Sequence, residues 1–231
     1  MEGMSVMAQD TLDLPMRGDA LVDQAYAILR ARILGNELLS GARLSVPKIA
    51  DELQISRSPA REAIQRLIYE GLADYSPGRG ARVARLNIAE LIEVYKVRSA
   101  LEALAAAEAA RRIDDETVEL LADILRAHRE AVDVGDVSSH ARRDMQFHRT
   151  VREVTGNATL QEYLERLQSR ILLGMGTTHT FEGGMRQALR EHEEIFAALQ
   201  ARDPRAAEDA ARGHIERLVR ELEERRKAGE S

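Results

Sequence analysis

Four residues of this chain have the types and spacing of a divalent-metal site. Asp144 and His148 stand at i and i+4, so they share one face of any helix that carries them. His192 and His214 lie 22 residues apart, with the helix breaker Asp203-Pro204 near their midpoint. Two antiparallel helices meeting there place both imidazoles at one level, each about 11 residues or about 16 Å from the turn. One carboxylate and three imidazoles suit Zn first, with Ni, Cu or Fe as alternatives and Mn admitted by the carboxylate. His128, His140 and His179 lack partner spacing and read as ordinary surface or core histidines.

A second constellation is cationic. Ser56, Arg57, Ser58 and Arg61 crowd the start of a helix, where side chains and free backbone N–H groups meet DNA in helix-turn-helix proteins. Arginine forks onto guanine O6/N7, and serine hydroxyls suit phosphate oxygens. Arg79, between Gly78 and Gly80, is one long cation on a flexible backbone, suited to a minor groove or a phosphate. Arg66, Arg82 and Arg85 complete the cluster. The chain carries a net charge of −6, yet residues 19–86 hold ten Lys and Arg against eight Asp and Glu. The placement of these arginines, more than the excess of two, points to an acidic partner.

The elements that must position these groups follow from the apolar pattern. Leu21, Val22, Ala25, Ile28, Leu29 and Ile33 predict a helix ending near Gly35, and Glu37 to Leu44 reads as a connection. Ser45 caps a short helix through Leu53; Gln54 to Arg57 is a turn. Ser58 as N-cap and Pro59 at the first helical position open a helix that runs to Glu70 and stops at Gly71. Leu72–Tyr75 and Ala81–Arg85 predict two short strands around a turn. Two helices joined by a turn and followed by a basic hairpin describe a winged helix-turn-helix. Beyond Asn87, Ala, Leu, Glu and Arg dominate, with breaks at 133–139, 155–157, 174–184 and 202–204. About six helices forming an all-α bundle are expected. The predicted fold class is mainly α: a flexible tail over 1–18, a winged helix-turn-helix over 19–86, and a helical bundle over 87–231.

Composition excludes several classes. With no Cys there is no disulfide scaffold, cysteine zinc finger or thiol nucleophile. No run is long and apolar enough for a membrane span. Glu2, Asp10 and Asp13 break the basic-then-apolar order of a signal peptide, so a cytoplasmic protein without membrane partners is expected.

The segment Gly41-Ala42-Arg43-Leu44, Ile49 to Leu53, Ile55-Ser56-Arg57-Ser58-Pro59-Ala60-Arg61-Glu62-Ala63, Leu67, Glu70-Gly71-Leu72 and Gly80-Ala81 resembles the GntR-family DNA-binding domain. The resemblance covers about residues 20–86 and implies operator contacts at Arg57, Ser58, Arg61 and Gly80. Where the family commonly has an acidic then a basic residue, this chain has Val46 and Pro47, and Lys48 is the substitute for the phosphate contact. Ala60 replaces a larger apolar residue.

Residues 90–220 resemble the FCD ligand-binding domain of the FadR subfamily. The resemblance is carried by Val94-Tyr95-Lys96-Val97-Arg98, Leu101-Glu102, Asp144-Met145-Gln146-Phe147-His148, Gly156-Asn157, Leu160, Glu191 to Ile195 and Gly213-His214-Ile215. It implies metal ligation by Asp144, His148, His192 and His214, and so the metal-binding branch over the fatty-acyl one. A small carboxylate completing the coordination would pair with an arginine. Arg98 and, secondarily, Arg170 are the effector-binding candidates; Arg98 could instead form a modest surface pair with Glu102 at i,i+4.

Together these readings predict a regulator, with repression the expected sign, working as a homodimer on double-stranded operator DNA. A small organic acid at the metal site would modulate it. Two alternatives stand beside it. In one the ion itself is the effector. In the other the site is a metal-dependent hydrolase, which lacks HExxH and an evident general base and leaves the winged block unexplained.

Overall fold

Helix α1 (Gly18–Leu34) turns Val22, Ala25, Leu29 and Ile33 inward at helical spacing. The computed structural model describes residues 18–35, 37–174 and 184–229; the expected tail up to residue 17, and His179, lie outside them. A two-residue strand β1 (Arg43–Leu44) leads into α2 (Val46–Glu52) and α3 (Arg57–Tyr69). Between these helices Gln54 takes a positive φ of 54°, Gln54 N–H donates to Asp51 O at 3.3 Å and Ile55 N–H to Ala50 O at 3.0 Å. That pairing satisfies the last carbonyls of α2 and sets the turn into α3. Gly71, at φ +74°, closes α3 in the same way through Leu72 N–H to Leu67 O at 2.9 Å.

Strands β2 (Ala73–Ser76) and β3 (Gly80–Val83) form the hairpin, and β1 adds to β3 antiparallel, giving the order β1-β3-β2. Ala63, Ile64 and Leu67 of α3 join Leu29, Leu44, Leu72 and Val83 in one apolar core.

Three details differ from the sequence reading. Helix α3 begins two residues earlier than Ser58-Pro59 predicted, with Ser56 as N-cap. Pro59 is tolerated there because the first-turn N–H groups have no intrahelical partner to lose. Strand β1 lies within the stretch read as a connection. A further turn, Arg111–Asp114, separates two helices where no break was read.

The remaining helices are α4 (Ile88–Ala110), α5 (Asp115–Asp133), α6 (Val137–Val154), α7 (Ala158–Gly174), α8 (Gly184–Gln200) and α9 (Pro204–Lys227). Asn87 and Glu90 form a reciprocal capping box that starts α4 directly after the β3 segment. Asp114, Asp136 and Asp203 cap α5, α6 and α9 through side-chain oxygens. Ala106, Ala109 and Ala110 of α4, with Leu121, Phe147, Ile195, Leu199 and Ala207, form the bundle core. Small residues on α4 let the neighbouring helices approach closely. No helix among the described residues is long and apolar enough to cross a membrane.

Helix α7 belongs to both halves. Leu167 and Ile171 pack with Leu91, Ile215 and Leu222 of α4 and α9, while Leu173 packs on the core of the first half.

A polar chamber in the bundle and an arginine surface on the first half

Helix α6 places His140, Asp144, His148 and Arg152 at successive i+4 steps, so one stripe of the helix carries chemistry into the bundle. Helices α8 and α9, antiparallel around the Asp203 cap, bring His192 and His214 level with that stripe, with ring centroids 4.8 Å apart. Donor atoms of Asp144, His148, His192 and His214 all lie within 4.8 Å of one another, and the three histidines are buried. His148 Nε2 and His192 Nε2 face each other at 3.2 Å, and Asp144 Oδ1 lies 3.5 Å from His192 Nε2.

The 3.2 Å and 3.5 Å separations are close to the edges of a coordination polyhedron, where bonds of about 2.1 Å put neighbouring donors about 3.0–3.4 Å apart, while the widest pair, up to 4.8 Å, would close up around an ion. The residues present therefore fit a divalent ion of the imidazole-preferring kind. Burial pushes His192 well below the ordinary imidazole value, reinforced by His214 and His148. Burial also lowers His214 against its bond to Glu191. Neutral imidazole is the form that ligates. Burial works to raise Asp144, but His148, Arg98 and His214 outweigh it and hold its carboxyl low.

Two carboxylates orient the imidazoles from behind. His214 Nδ1 donates to Glu191 Oε2 at 2.6 Å, and Glu191 is clamped by Arg217 through Nε at 2.5 Å and Nη2 at 2.9 Å. Against its burial, these bonds hold Glu191 at about 2. Glu102 Oε2 stands 3.5 Å from His148 Nδ1, while its Oε1 accepts from Arg98 Nε at 3.2 Å. Both arrangements leave Nε2 facing the shared centre. Sequence reasoning quoted Glu102 and Glu191 only as part of the FCD resemblance, gave neither a role here, and did not single out Arg217. No periodic signal marks a partner supplied by a different helix. Replacing Glu102 by Gln is expected to lower affinity for divalent metal about 10- to 100-fold, measured by competition with a chelator. An unchanged affinity would show that Glu102 does not support His148.

The Arg98–Glu102 pair exists, but it is buried, not a surface interaction. Arg170 is not near the cluster. It lies one position off the apolar face of α7, and its Cδ would sit 3.0 Å from a Cβ placed on Gly71. His128 and His140, read as unpartnered, meet at 2.7 Å between Nε2 and Nδ1, both buried, and His128 lies 5.5 Å from the His192 ring. Burial pushes His128 down to about 4.

On the first half, Ser56, Arg57, Ser58 and Arg61 stand exposed in the first turn of α3 and just before it, and Arg79 is exposed at the hairpin tip. Ser56 makes no side-chain cap bond, and Ser58 Oγ donates to Glu62 Oε1 at 3.0 Å. Gly80 takes a φ of +76°, the left-handed region where a Cβ is costly, and so shapes the tip. Lys48 is exposed on α2 and lies 3.7 Å from Glu52. Among the described residues Arg57, Arg61 and Arg79 have no acidic partner, whereas Arg66 is bound to Asp23 and turned away from this role. The sheet adds a feature that was missed: exposed Arg43 lies directly across from exposed Arg82. Like charges opposed on adjacent strands are destabilising, and here Arg82 Nη1 donates to Gly41 O at 3.0 Å.

Comparison with known proteins agrees with this layout. Residues 21–83 match the family described as bacterial regulatory proteins, gntR family, and residues 93–217 match the FCD domain. The chain is 28% identical to the transcriptional repressor RspR of Escherichia coli K12 over 197 residues, covering 84% of this chain and 86% of that protein. It is 31% identical to the "Probable D-xylose utilization operon transcriptional repressor" of Paenarthrobacter nicotinovorans, covering 84% and 85%. Its fold is similar to that of E. coli McbR/YncC, with a TM-score of 0.75 at 22% identity over 89% of this chain and 98% of that one. These relatives are transcription regulators and not enzymes. With an arginine-bearing winged helix-turn-helix ahead of an FCD bundle, the chain belongs to the gntR family of DNA-binding transcriptional regulators.

Proposed function

We propose that this regulator is a repressor whose grip on its operator is set by a small organic acid. The acid would bind at a divalent ion held by Asp144, His148, His192 and His214, zinc being the first expectation. The observation that carries this reading is the convergence of those four donors beside a buried arginine, Arg98, whose Nη2 has no hydrogen-bond partner among the described residues. When bound, the ion supplies a Lewis-acidic centre with positions open to a carboxylate. Arg98 is placed to hold the remaining charge. An ion acting alone as effector leaves that buried donor unexplained, so the organic-acid reading is favoured.

A ligand shifts DNA affinity only through differential affinity for two arrangements of the chain. Helix α7 supplies the coupling surface. Arg166 of α7 lies 4.1 Å over the ring of Tyr69, at the end of α3, and its Nη2 donates to Tyr69 O at 3.1 Å. Arg30 Nη2 donates to Ser169 Oγ at 3.5 Å. A bundle that moves α7 therefore moves the helix proposed to enter the major groove. Replacing Arg166 by Ala is expected to leave metal binding intact and reduce the effector-induced change in DNA affinity at least threefold, read by DNA titration with and without effector. Full retention of the response would remove α7 from the coupling.

Val97, Leu101 and Leu104 form an apolar i, i+4, i+7 stripe on α4, beside exposed Tyr163 of α7. This face suits a second copy, in keeping with a cytoplasmic homodimer reading two operator half-sites. The deciding experiment is a mobility shift of DNA from the protein's own promoter region at several salt concentrations. It is repeated with organic acids while metal is held saturating. A salt-sensitive, sequence-selective shift that an acid reverses is expected; a shift without selectivity ends this reading.

A further inference from the structure

Two arginines in the bundle interior keep donors that nothing among the described residues satisfies. Arg98 spends its Nε on Glu102, yet its Nη2 is buried without a partner. Arg152, one turn beyond His148 on α6, donates through Nε to His148 O at 3.0 Å, and its Nη1 is likewise buried without a partner. Their exposures are 4% and 5%. Among the described residues no carboxylate forms an ion pair with Arg152. The charges of Glu102, Glu165 and Asp144 act on it favourably, with Arg98 opposing them. A buried cationic N–H left unpaired is costly and calls for a specific explanation.

Charge counting gives one. Arg98 and Arg152 balance Glu102 and Asp144, while Glu191 is already engaged by Arg217 and His214. A divalent ion on neutral imidazoles therefore leaves two positive charges in the interior. A monocarboxylate removes one of them and leaves the other buried, whereas a ligand with two acidic groups removes both. Arg152 also lines a cleft of about 870 Å³ between α1, α6 and α7, with its unpartnered Nη1 turned inward from that surface and buried. Gln168 lines the same cleft, and its Oε1 is buried without a partner. A flip of that amide presents a second donor on the lining it shares with Arg152.

We propose that the effector carries two acidic groups, one held at the metal and Arg98 and the other held by Arg152. Arg152 is thus the residue that selects such ligands over monocarboxylates. This rests on the metal-centred reading above and narrows its ligand class. The second group can be a carboxylate or a phosphate ester.

The test is calorimetric titration of the zinc-loaded full chain with matched pairs: 2-hydroxybutanoate against malate, and glycerate against 3-phosphoglycerate. At least tenfold tighter binding of the doubly acidic member is expected in one pair, and which pair responds identifies the second group. Arg152→Gln should cut that preference below threefold by weakening the doubly acidic member far more than the monocarboxylate. Arg152→Lys should keep most of it. Thermal melts of both variants check that they fold. Equal affinities within both pairs, a preference untouched by Arg152→Gln, or no binding of any probe at millimolar concentration would overturn the proposal. A preference that survives chelation but vanishes in Arg152→Gln would uphold Arg152 and defeat the metal-centred reading instead.

Discussion

Arg61→Ala is expected to weaken operator binding by about 1–3 kcal/mol, roughly fivefold to 150-fold, and Arg57→Ala by a similar amount. The two stand at i and i+4 at the start of α3, exposed and without an acidic partner among the described residues. Neither guanidinium holds the protein together, so its removal should leave the melting temperature unchanged and the effect belongs to DNA alone. The contrast is Arg66→Ala, which breaks the contact with Asp23 and should leave DNA affinity within twofold. Titrating each variant at several salt concentrations separates two roles. Loss of a phosphate contact lowers the salt slope by about one and weakens all sequences alike, whereas loss of a base contact relaxes selectivity at one position. Wild-type affinity in the Arg57/Arg61 double variant would move the DNA-reading surface elsewhere on the first half, with the Arg43–Arg82 pair the next place to look.

The parts of this molecule legible in the sequence are those set by local rules. The mirror placement of His192 and His214 could be read because Asp203-Pro204 marks the turn, and Asp203 does cap α9. The hairpin could be read because Pro77, Gly78 and Gly80 punctuate two short apolar runs. The turn at Arg111–Asp114 was hidden by the long alanine run before it, although Asp114 with Thr117 three residues on carried a capping signal. What resisted reading depends on tertiary neighbours. Glu102 and Glu191 are ordinary helical acids until His148 and His214 arrive from other helices. Arg98 was readable as a ligand candidate, but its burial was not, because the neighbours that cover it come from distant parts of the chain. The misplacement of Arg170 has the same origin. One residue's rotation on α7 decides whether a side chain enters the bundle or passes under Gly71, and periodicity over a single helix does not fix that angle.

His192→Ala carries the other large effect. His192 is 0% exposed, touches His148, His214 and Asp144 through its ring or Nε2, and stacks 4.7 Å from Phe147. Its removal takes one of the four donors and opens a void against a core aromatic. Metal at 1,000 times its dissociation constant stabilises the folded chain by about 4 kcal/mol. For a chain of this size that is worth about 8–16 °C in melting temperature. The wild type should therefore show a metal-dependent, chelator-reversible rise of that order, and His192→Ala should show none. The void alone predicts something different, a lower melting temperature in the presence and absence of metal alike. His192→Asn separates the two contributions, since it fills more of the space and offers only a weak ligand: it should recover stability without recovering the metal response. Operator affinity measured without effector should stay within a few-fold of wild type in both variants, because Arg57 and Arg61 lie on the other half of the chain. A wild type whose melting is indifferent to zinc, nickel and manganese would leave the convergence of Asp144 and the three histidines as a buried hydrogen-bond network and no more. The response to organic acids would then have to be sought in the arginines Arg98 and Arg152 alone.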